Sequence, residues 1–247
     1  MKIAIIGGSG FEHPDLLKEQ NEIQVETPYG APSSAFKTGK INNIEVVVLS
    51  RHGRDHAIPP TQVNNRSNIW ALKQLGCTLI LATTACGSLR EEIKRGDLVI
   101  LDQFIDFTRF RKVSFFETFE HGQLNHTPMA DPFHAELRGK LIAQAKKLNL
   151  SFHPKGTVVT IEGPRFSTRA ESNMFRMWGA DVINMSVAPE CILANELQIP
   201  YAAIALSTDY DCWKTDEEPV TWEEVLKVFN QNVENVIRLI STTVSNF

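Results

Sequence analysis

Residues 79–88, LILATTACGS, decide the fold, because an apolar run of strand length is followed directly by small hydroxyl residues and a glycine. An apolar run of this length with no polar face is typical of a strand buried on both sides in a largely parallel sheet. Five further runs, rich in Val and Ile, have the same character. The six predicted strands are Ile3–Ile6, Val46–Leu49, Leu79–Ala82, Leu98–Leu101, Val158–Ile161 and Tyr201–Leu206.

Helical patterns lie between and after these runs. Gln62–Leu75 ends at a glycine, and Phe133–Leu150 carries its lysines late, as helix C-termini favour. A final helix is predicted from an i, i+3, i+4, i+7 apolar stripe that begins at Trp222, with Thr221 and Glu224 as its capping box. The alternation predicts an α/β fold, and the absence of a linker favours one domain over residues 1–247.

Clusters of glycine, hydroxyl, amide and charged residues follow the predicted strands. They read GGSGF after Ile6, SRHGRDH after Leu49, TTACGS after Ala82, EGPRFSTRAES after Ile161, NMSVAPE after Ile183 and STDYDCW after Leu206. Ligands of open α/β sheets bind beyond the carboxyl ends of the strands. We therefore expect the six clusters to converge on one crevice.

Charge and composition restrict the possible partners. The 247 residues include 25 basic and 29 acidic side chains, well interspersed, with a net charge of −4, so a nucleic-acid partner is not expected. The apolar run at the start is too short for a signal peptide or a membrane span, and a cytoplasmic protein that binds no membrane is expected. The four cysteines lack C-x-x-C spacing and predict reduced thiols rather than a disulfide or a zinc site.

Several of the clusters carry groups that bind anions. The glycines of 7–10, GGSG, would let backbone N–H groups approach an anion, with the Ser9 hydroxyl as a further donor. A dinucleotide fingerprint would need a third glycine where His13 stands, so nicotinamide binding is not predicted. Arg51 can grip two oxygens of a phosphate, with the His52 imidazole beside it as a further donor. Each motif alone is also compatible with an ordinary turn.

Other clusters suit a purine nucleoside. Phe166 offers a flat face for a base, unless it only fills the core beneath its loop, and Met185 and Ser186 offer an apolar floor and a hydroxyl. Asp209 and Asp211 lie two residues apart in an extended segment and point to the same side. A metal site at this pair lacks a histidine or third carboxylate nearby and is not predicted.

The whole chain resembles the S-methyl-5'-thioadenosine phosphorylases of the trimeric purine nucleoside phosphorylase superfamily. The motifs that carry this resemblance are IIGGSG, ETPYGAPS, RHGRDH, TTACGSLREEI, GDLVILDQFID, EGPRFSTRAES, GADVINMS, PE and STDYDCWK. The resemblance implies a mixed central sheet that partly closes into a barrel and is flanked by helices. It also implies phosphorolysis of methylthioadenosine to adenine and 5-methylthioribose 1-phosphate, in purine and methionine salvage, by a homotrimer or a hexamer of two trimers. Phosphate is then a co-substrate, and no cofactor or metal is needed.

The resemblance also assigns residues by position. Phosphate contacts are implied for Ser9, Arg51, His52, Thr84, Ala85 and Ser186. Nucleoside contacts are implied for Phe166, Met185, Asp209, Tyr210, Asp211, Trp222 and, from a neighbouring subunit, His126. The family pattern usually has threonine where this chain has Ser9 and Ser186; the hydroxyl is kept and a methyl is lost.

The implied reaction displaces adenine at C1' through a cationic ribosyl group, so the catalytic residues are Arg51 and Ser186 at the phosphate and Asp209 at the base. A protonated Asp209 would donate to purine N7, which requires a pKa raised by burial near Asp211. Related enzymes for 6-oxopurines place an amide at position 209. A carboxylate accepts from the 6-amino group of adenine and repels a 6-carbonyl, so this pair favours adenine.

Two positions bear on the 5' pocket and on assembly. Family members that prefer a 5'-hydroxyl have histidine where Trp222 stands, so an apolar pocket for methylthio is expected, although core packing accounts for Trp222 equally well. The position of His126 makes the irregular stretch Phe110–Met129 the expected subunit interface.

Two other hypotheses remain beside the phosphorylase: a broader adenosine or purine nucleoside phosphorylase, and a nucleosidase that uses water and has no need of the anion-binding set. A non-catalytic nucleotide-binding protein is a third, but it has no need of paired aspartates at the base.

Overall fold

The computed structural model describes residues 1–7, 17–122, 124–216 and 221–247. Ser9 lies outside the described residues, and so does the side chain of Trp222.

Eleven strands are present in the described chain, and all six predicted runs are among them. The strands are β1 Lys2–Gly7, β2 Lys18–Ile23, β3 Phe36–Ile41, β4 Ile44–Ser50, β5 Leu79–Ser88, β6 Leu98–Ile100, β7 Gln103–Phe107, β8 Phe152–His153, β9 Thr157–Ile161, β10 Val182–Asn184 and β11 Tyr201–Tyr210. Two of them run well past the predicted ends at Ala82 and Leu206. Polar residues continue these strands because β5 and β11 pair with each other over their whole length, which satisfies the backbone groups.

The strands form one mixed sheet that branches at β5. The main path runs β2-β3-β4-β1-β5-β10-β9-β7, and β11 pairs with both β5 and β6, with β8 beyond β6. Parallel pairs such as β1 with β4 and β5 occur beside antiparallel pairs such as β10 with β5. The mixed sheet confirms the fold class, but the described strands leave open ends at β2 and β7, so closure into a barrel is incomplete. Between Ser207 and Asp209 the register of β11 against β5 shifts.

Five helices flank the sheet in the described chain: α1 Asn65–Gln74, α2 Ala135–Lys147, α3 Arg169–Met177, α4 Val187–Glu196 and α5 Trp222–Val244. The first two confirm the predicted helical patterns with later starts, and a 3₁₀ turn, Pro60–Gln62, precedes α1. The Thr168 side chain accepts from the Glu171 N–H and the Glu171 side chain returns to the Thr168 N–H, a complete capping box on α3. Thr221 likewise accepts from the Glu224 N–H at 3.3 Å.

The core lies on both faces of the sheet. In β1, Ile3 and Ile5 pack with residues of α2 and α5, whereas Ala4 and Ile6 pack with residues of α1 and α4. Alternate side chains of a strand point to opposite faces, so a strand apolar at every position is covered by helices on both sides. The carboxyl ends of β4, β5, β9, β10 and β11 meet at one edge of this layered core, and the functional residues lie there. None of the described helices is long and apolar enough to cross a membrane.

Candidate active site

An open cleft lies at the carboxyl ends of the central strands. Its walls come from the clusters that follow β4, β9 and β10, from the ends of β5 and β11, and from the first turns of α5. Five of the six predicted clusters therefore converge, and the sixth, GGSGF, falls almost entirely outside the described residues. The predicted site residues that line the cleft are Arg51, His52, Thr84, Ala85, Phe166, Met185, Ser186, Asp209 and Asp211.

One end of the cleft, which we call the arginine end, is built around Arg51. Its side chain is 2% exposed, and its Nε and Nη2 both donate to the carboxylate of Glu190, which is 1% exposed. Nη1 donates to the Thr83 carbonyl at 2.9 Å, and the Tyr201 hydroxyl donates to Glu190 Oε2 at 2.9 Å. Burial alone would lower the pKa of Arg51, but Glu190 raises it, so the guanidinium stays charged.

His52 borders the same end, in a turn whose backbone is fixed by Ile58. The Ile58 N–H donates to the His52 carbonyl at 3.0 Å, and His52 Nδ1 lies 2.9 Å from the Ile58 carbonyl oxygen. The His56 ring stacks on His52 with centroids 4.5 Å apart. Burial and the charge of Arg51 lower the pKa of His52 to about 4, so this imidazole is neutral at physiological pH.

Hydroxyl and amide groups complete the arginine end. Thr84 Oγ1 lies 3.2 Å from Ser186 Oγ, and Asn184 Nδ2 donates to Thr84 Oγ1 at 3.2 Å. Ser186 is the residue before α4, and the N–H groups and dipole of a helix N-terminus favour an anion. This arrangement suits a tetrahedral oxyanion, which could take hydrogen bonds from several neutral donors and from Arg51.

The other end of the cleft, which we call the aspartate end, holds two buried carboxyl groups from the end of β11. Asp209 and Asp211 are 7% and 5% exposed. Burial raises the pKa of Asp209 to about 7; a hydrogen bond from Thr208 at 2.7 Å works against this, and the negative charge of Asp211 adds to it. Burial also raises the pKa of Asp211, against the hydrogen bonds of the Ser167 hydroxyl, which lies 2.8 and 2.6 Å from its two oxygens.

The space for the two carboxyls depends on Gly87, which pairs with Asp209 in the sheet. A Cβ at position 87 would lie 2.9 Å from Asp209 Oδ2, 3.1 Å from Ile183 and 3.4 Å from Asp211 Cβ. Any larger residue would therefore push against the sheet or against both aspartates.

Apolar side chains also line the cleft. Phe166 is 44% exposed at the cleft, which leaves its ring available to a planar ligand. Met185 packs so closely against Gly163 that a Cβ there would lie 2.5 Å from its sulfur. Val225 and Phe229 of α5 also line the cleft. These surfaces suit a ligand with an aromatic and an apolar part.

Two predicted contacts are not brought to the cleft within one chain. Tyr210 lies on the opposite side of β11 from its neighbouring aspartates, because successive residues of a strand alternate in direction; its hydroxyl donates to the Glu91 carbonyl at 3.2 Å and its ring is edge-on to Trp213. Its contact with the nucleoside stays a prediction. His126 packs against Phe119, with ring centroids 5.6 Å apart, and its role in a neighbouring subunit's site stays a prediction.

Three residues of the site were not singled out from the sequence. Glu190 pairs with Arg51, Ser167 holds Asp211, and Asn184 links Thr84 to the Thr160 hydroxyl, which lies 2.8 Å from Asn184 Oδ1. All three stand in motifs that carry the family resemblance, but their partners are far away in sequence. No group of three or more His, Cys, Asp or Glu side chains in the described part of the chain is arranged to hold a metal ion.

Known proteins match this chain along almost its whole length. The model of the phosphorylase superfamily matches residues 2–245. The S-methyl-5'-thioadenosine phosphorylases of Xenopus tropicalis and Danio rerio are 54% and 53% identical to it, over 99% of this chain and 88% of each relative. The methylthioadenosine phosphorylase of Schistosoma mansoni in complex with adenine superposes with a TM-score of 0.94 at 43% identity, over 99% of this chain and 91% of that one. A variant adenosine/methylthioadenosine phosphorylase from the same organism, in complex with methylthioadenosine, gives a TM-score of 0.93 at 42% identity, with the same coverage. With this agreement in sequence and fold, the chain belongs to the phosphorylase superfamily and, within it, to the S-methyl-5'-thioadenosine phosphorylase family.

Proposed function

We propose that this protein cleaves S-methyl-5'-thioadenosine with inorganic phosphate, releasing adenine and 5-methylthioribose 1-phosphate. The observation that carries the proposal is that one cleft holds an arginine end suited to an oxyanion, an aspartate end with two buried carboxyl groups, and apolar side chains along its lining. The relatives named above act on, or were solved with, ligands of this kind.

At the arginine end, phosphate would be held by Arg51, His52, the hydroxyls of Thr84 and Ser186, and the Ala85 N–H, with Ser9 as a further predicted donor. Bound there, it lies beneath the sugar as nucleophile and as counter-ion for the positive charge that develops on the ribosyl group. Positioning and fixed dipoles then supply much of the acceleration.

At the aspartate end, adenine would be recognised by the two carboxyl groups. A pKa of about 7 leaves a large fraction of Asp209 protonated near neutral pH, so its O–H can donate to purine N7 as the glycosidic bond breaks. Asp211, held by the Ser167 hydroxyl, would accept from the 6-amino group. Phe166 would stack on the base, and Met185 would lie beneath the ribose.

The 5' substituent would lie against α5. Val225, Leu226 and Phe229 line the cleft with hydrocarbon, which suits a methylthio group better than a hydroxyl. Trp222 stays a predicted member of this pocket.

We also propose a single-domain, cofactor-free homotrimer in the cytoplasm, alone or as a hexamer of two trimers. The stretch 110–129 contains no helix or strand in its described residues, and it presents large apolar side chains to the outside, with Phe110 84% and Leu124 71% exposed. Exposed apolar side chains of this kind are expected at a subunit interface, from which His126 would reach the active site of the neighbouring subunit. All four cysteines are free thiols, as is common in reducing compartments.

The test is adenine release from methylthioadenosine with and without phosphate, with the sugar product identified by mass spectrometry. We expect release only with phosphate, together with 5-methylthioribose 1-phosphate. Equal release without phosphate would indicate a nucleosidase, and no release from any purine nucleoside would indicate a binding protein.

Adenosine is the second candidate substrate, because one relative solved from Schistosoma mansoni is named an adenosine/methylthioadenosine phosphorylase. We expect kcat/KM to fall in the order methylthioadenosine, adenosine, inosine. A higher value for inosine than for adenosine would contradict the proposed role of the aspartate pair.

A further inference from the structure

His52 faces the arginine end in a fixed orientation. Its backbone carbonyl accepts from the Ile58 N–H, and its Nδ1 lies 2.9 Å from the Ile58 carbonyl oxygen, so the same residue fixes both its main chain and its ring. Ile58 is not among the residues that line the cleft, whereas His52 is. The ring therefore turns its Nδ1 away from the cleft and presents its other edge, with Nε2, to it.

The tautomer follows from the partner. A backbone carbonyl oxygen can only accept a hydrogen bond, so Nδ1 must carry the proton. A neutral imidazole has one N–H, which leaves Nε2 with a lone pair and no hydrogen. Burial and the neighbouring Arg51 charge oppose protonation of the ring, with a pKa of about 4. His52 therefore presents an acceptor to the cleft, and not the further donor that the sequence predicts.

The neutral ring of His52 cannot turn a donor to the oxyanion, which sets it apart from the groups beside it. Arg51 can only donate and the Ser186 hydroxyl can donate or accept, whereas the Thr84 hydroxyl already donates to the Ala85 carbonyl at 2.9 Å. The hydrogen phosphate dianion has three bare oxygens and one P–OH group, so it needs several donors and one acceptor. Sulfate has the same shape and charge but no proton, and its oxygen would meet the Nε2 lone pair.

We infer that His52 Nε2 accepts the P–OH hydrogen of hydrogen phosphate, and that this contact makes the site select protonated tetrahedral oxyanions over unprotonated ones. The inference rests on the proposed function and names the form of phosphate that the cleft takes. It also fixes the orientation of the anion, because the P–OH oxygen is turned to His52 and the bare oxygens are left for the donors and for attack on the sugar.

The inference is tested by competition among four anions at mildly alkaline pH. Phosphate and arsenate keep one O–H group there, whereas sulfate and monofluorophosphate have none. We expect arsenate to replace phosphate as co-substrate. Sulfate and monofluorophosphate should inhibit with inhibition constants at least about tenfold above the phosphate KM, because one of their bare oxygens would face the unprotonated Nε2 of His52 with no hydrogen between the two acceptors. A sulfate inhibition constant equal to the phosphate KM would overturn the inference but would leave the proposed phosphorolysis in place. Absence of phosphate-dependent cleavage would overturn both.

The variant His52→Ala sharpens the test. A water that takes the space of the ring can donate or accept a hydrogen bond, so phosphate should bind less tightly to this variant while the affinity for sulfate stays the same. The ratio of the sulfate inhibition constant to the phosphate KM should then fall below about threefold. His134→Ala, which changes an exposed histidine before α2, should keep the wild-type selectivity. Unchanged selectivity in His52→Ala would contradict the inference, with adenine binding as the check that the variant is folded.

Nitrogen-15 NMR of histidine-labelled wild-type protein decides the question if that variant does not fold. We expect the Nδ1 of His52 to be protonated and its Nε2 to stay unprotonated when phosphate is added. A protonated Nε2 in the phosphate complex would mean that His52 donates to the anion, and the inference would be wrong.

Discussion

The two ends of the cleft each bury ionisable groups but treat them differently. At the arginine end, the buried Arg51 is matched by the buried Glu190, and the Tyr201 hydroxyl satisfies the carboxylate further. At the aspartate end, Asp209 and Asp211 are bonded to the hydroxyls of Thr208 and Ser167, and their pKa values are raised. A matched pair stays charged, whereas burial raises the pKa of both carboxyl groups at the aspartate end, against the hydrogen bonds of the hydroxyls.

The difference corresponds to two chemical tasks. Binding an anion needs a cation of fixed position, and a carboxylate behind the guanidinium orients its fork. Transferring a proton to a leaving base needs a group whose pKa is close to the working pH. Both tasks use buried ionisable groups, and the two ends differ in the group that each buried charge is paired with.

The largest expected effect is that of Asp209→Asn, which removes the transferable proton and keeps the shape. We expect kcat/KM for methylthioadenosine to fall by about 10²–10⁴-fold. The exposed Asp131 provides the matched control, as Asp131→Asn should leave the rate unchanged. An Asp209→Asn enzyme as active as wild type would show that proton transfer at the aspartate end is not needed.

Glu190→Gln should break the match at the arginine end. Removing one partner of a buried ion pair typically costs about 3–5 kcal/mol, to be measured as the loss in free energy of unfolding by urea. Phosphate should stabilise this variant more than it stabilises wild type, because the anion then supplies the missing negative charge.

The milder variant Tyr201→Phe removes one hydrogen bond and leaves both charges, and should cost only about 1 kcal/mol. If Glu190→Gln were as stable as Tyr201→Phe, the ion pair between Arg51 and Glu190 would contribute little to stability, and the arginine end would not depend on a matched pair of charges.

The pH dependence of kcat/KM should report the aspartate end. Because the folded-state pKa of Asp209 is raised to about 7 and the protonated form is the active one, activity is expected to be present below that pH and to fall about tenfold per unit above it. The residual activity of Asp209→Asn should lack this alkaline decline. A wild-type rate that is constant well above neutrality would contradict the assignment.

Ser167→Ala should have the smallest effect. The hydroxyl holds Asp211 in position but touches no reacting atom, so we expect a rise of several-fold in KM for methylthioadenosine with little change in kcat. Ser245→Ala, after the end of α5, is the control. A large fall in kcat with KM unchanged would assign Ser167 a part in the chemical step.

Much of the fold was predictable because buried parallel strands read as continuous apolar runs and because helices repeat their apolar residues every three to four positions. Peripheral strands were not: β2, Lys18–Ile23, is exposed at every position and has no apolar pattern. The ends of β5 and β11 were placed too early because polar residues there are paired with each other across the sheet, which a single segment does not reveal.

The site divides in the same way. Residues that follow strands, such as Arg51 and Asp209, were predictable because the strand ends converge. The partner of Arg51 was not, since Glu190 lies 139 positions away and a glutamate in the first turn of a helix is otherwise an ordinary surface residue. The tautomer of His52 depends on a carbonyl in a turn, and no property of the side chains alone predicts it.

The register shift between Ser207 and Asp209 reverses the side of β11 to which the following side chains point. Upstream, Ala202, Ile204 and Leu206 point to the side on which α5 packs. One extra residue, Thr208, moves Asp209 and Asp211 onto that side and Tyr210 onto the other, because a slip of one position inverts every later side chain. A point substitution at the end of this strand changes the chemical group at one position but leaves the direction of every side chain unchanged. A straight strand with Thr208 paired in the ladder would instead place Tyr210 at the cleft and turn both carboxyl groups away from it, so the groups in the cleft depend on this bulge as well as on the residue types.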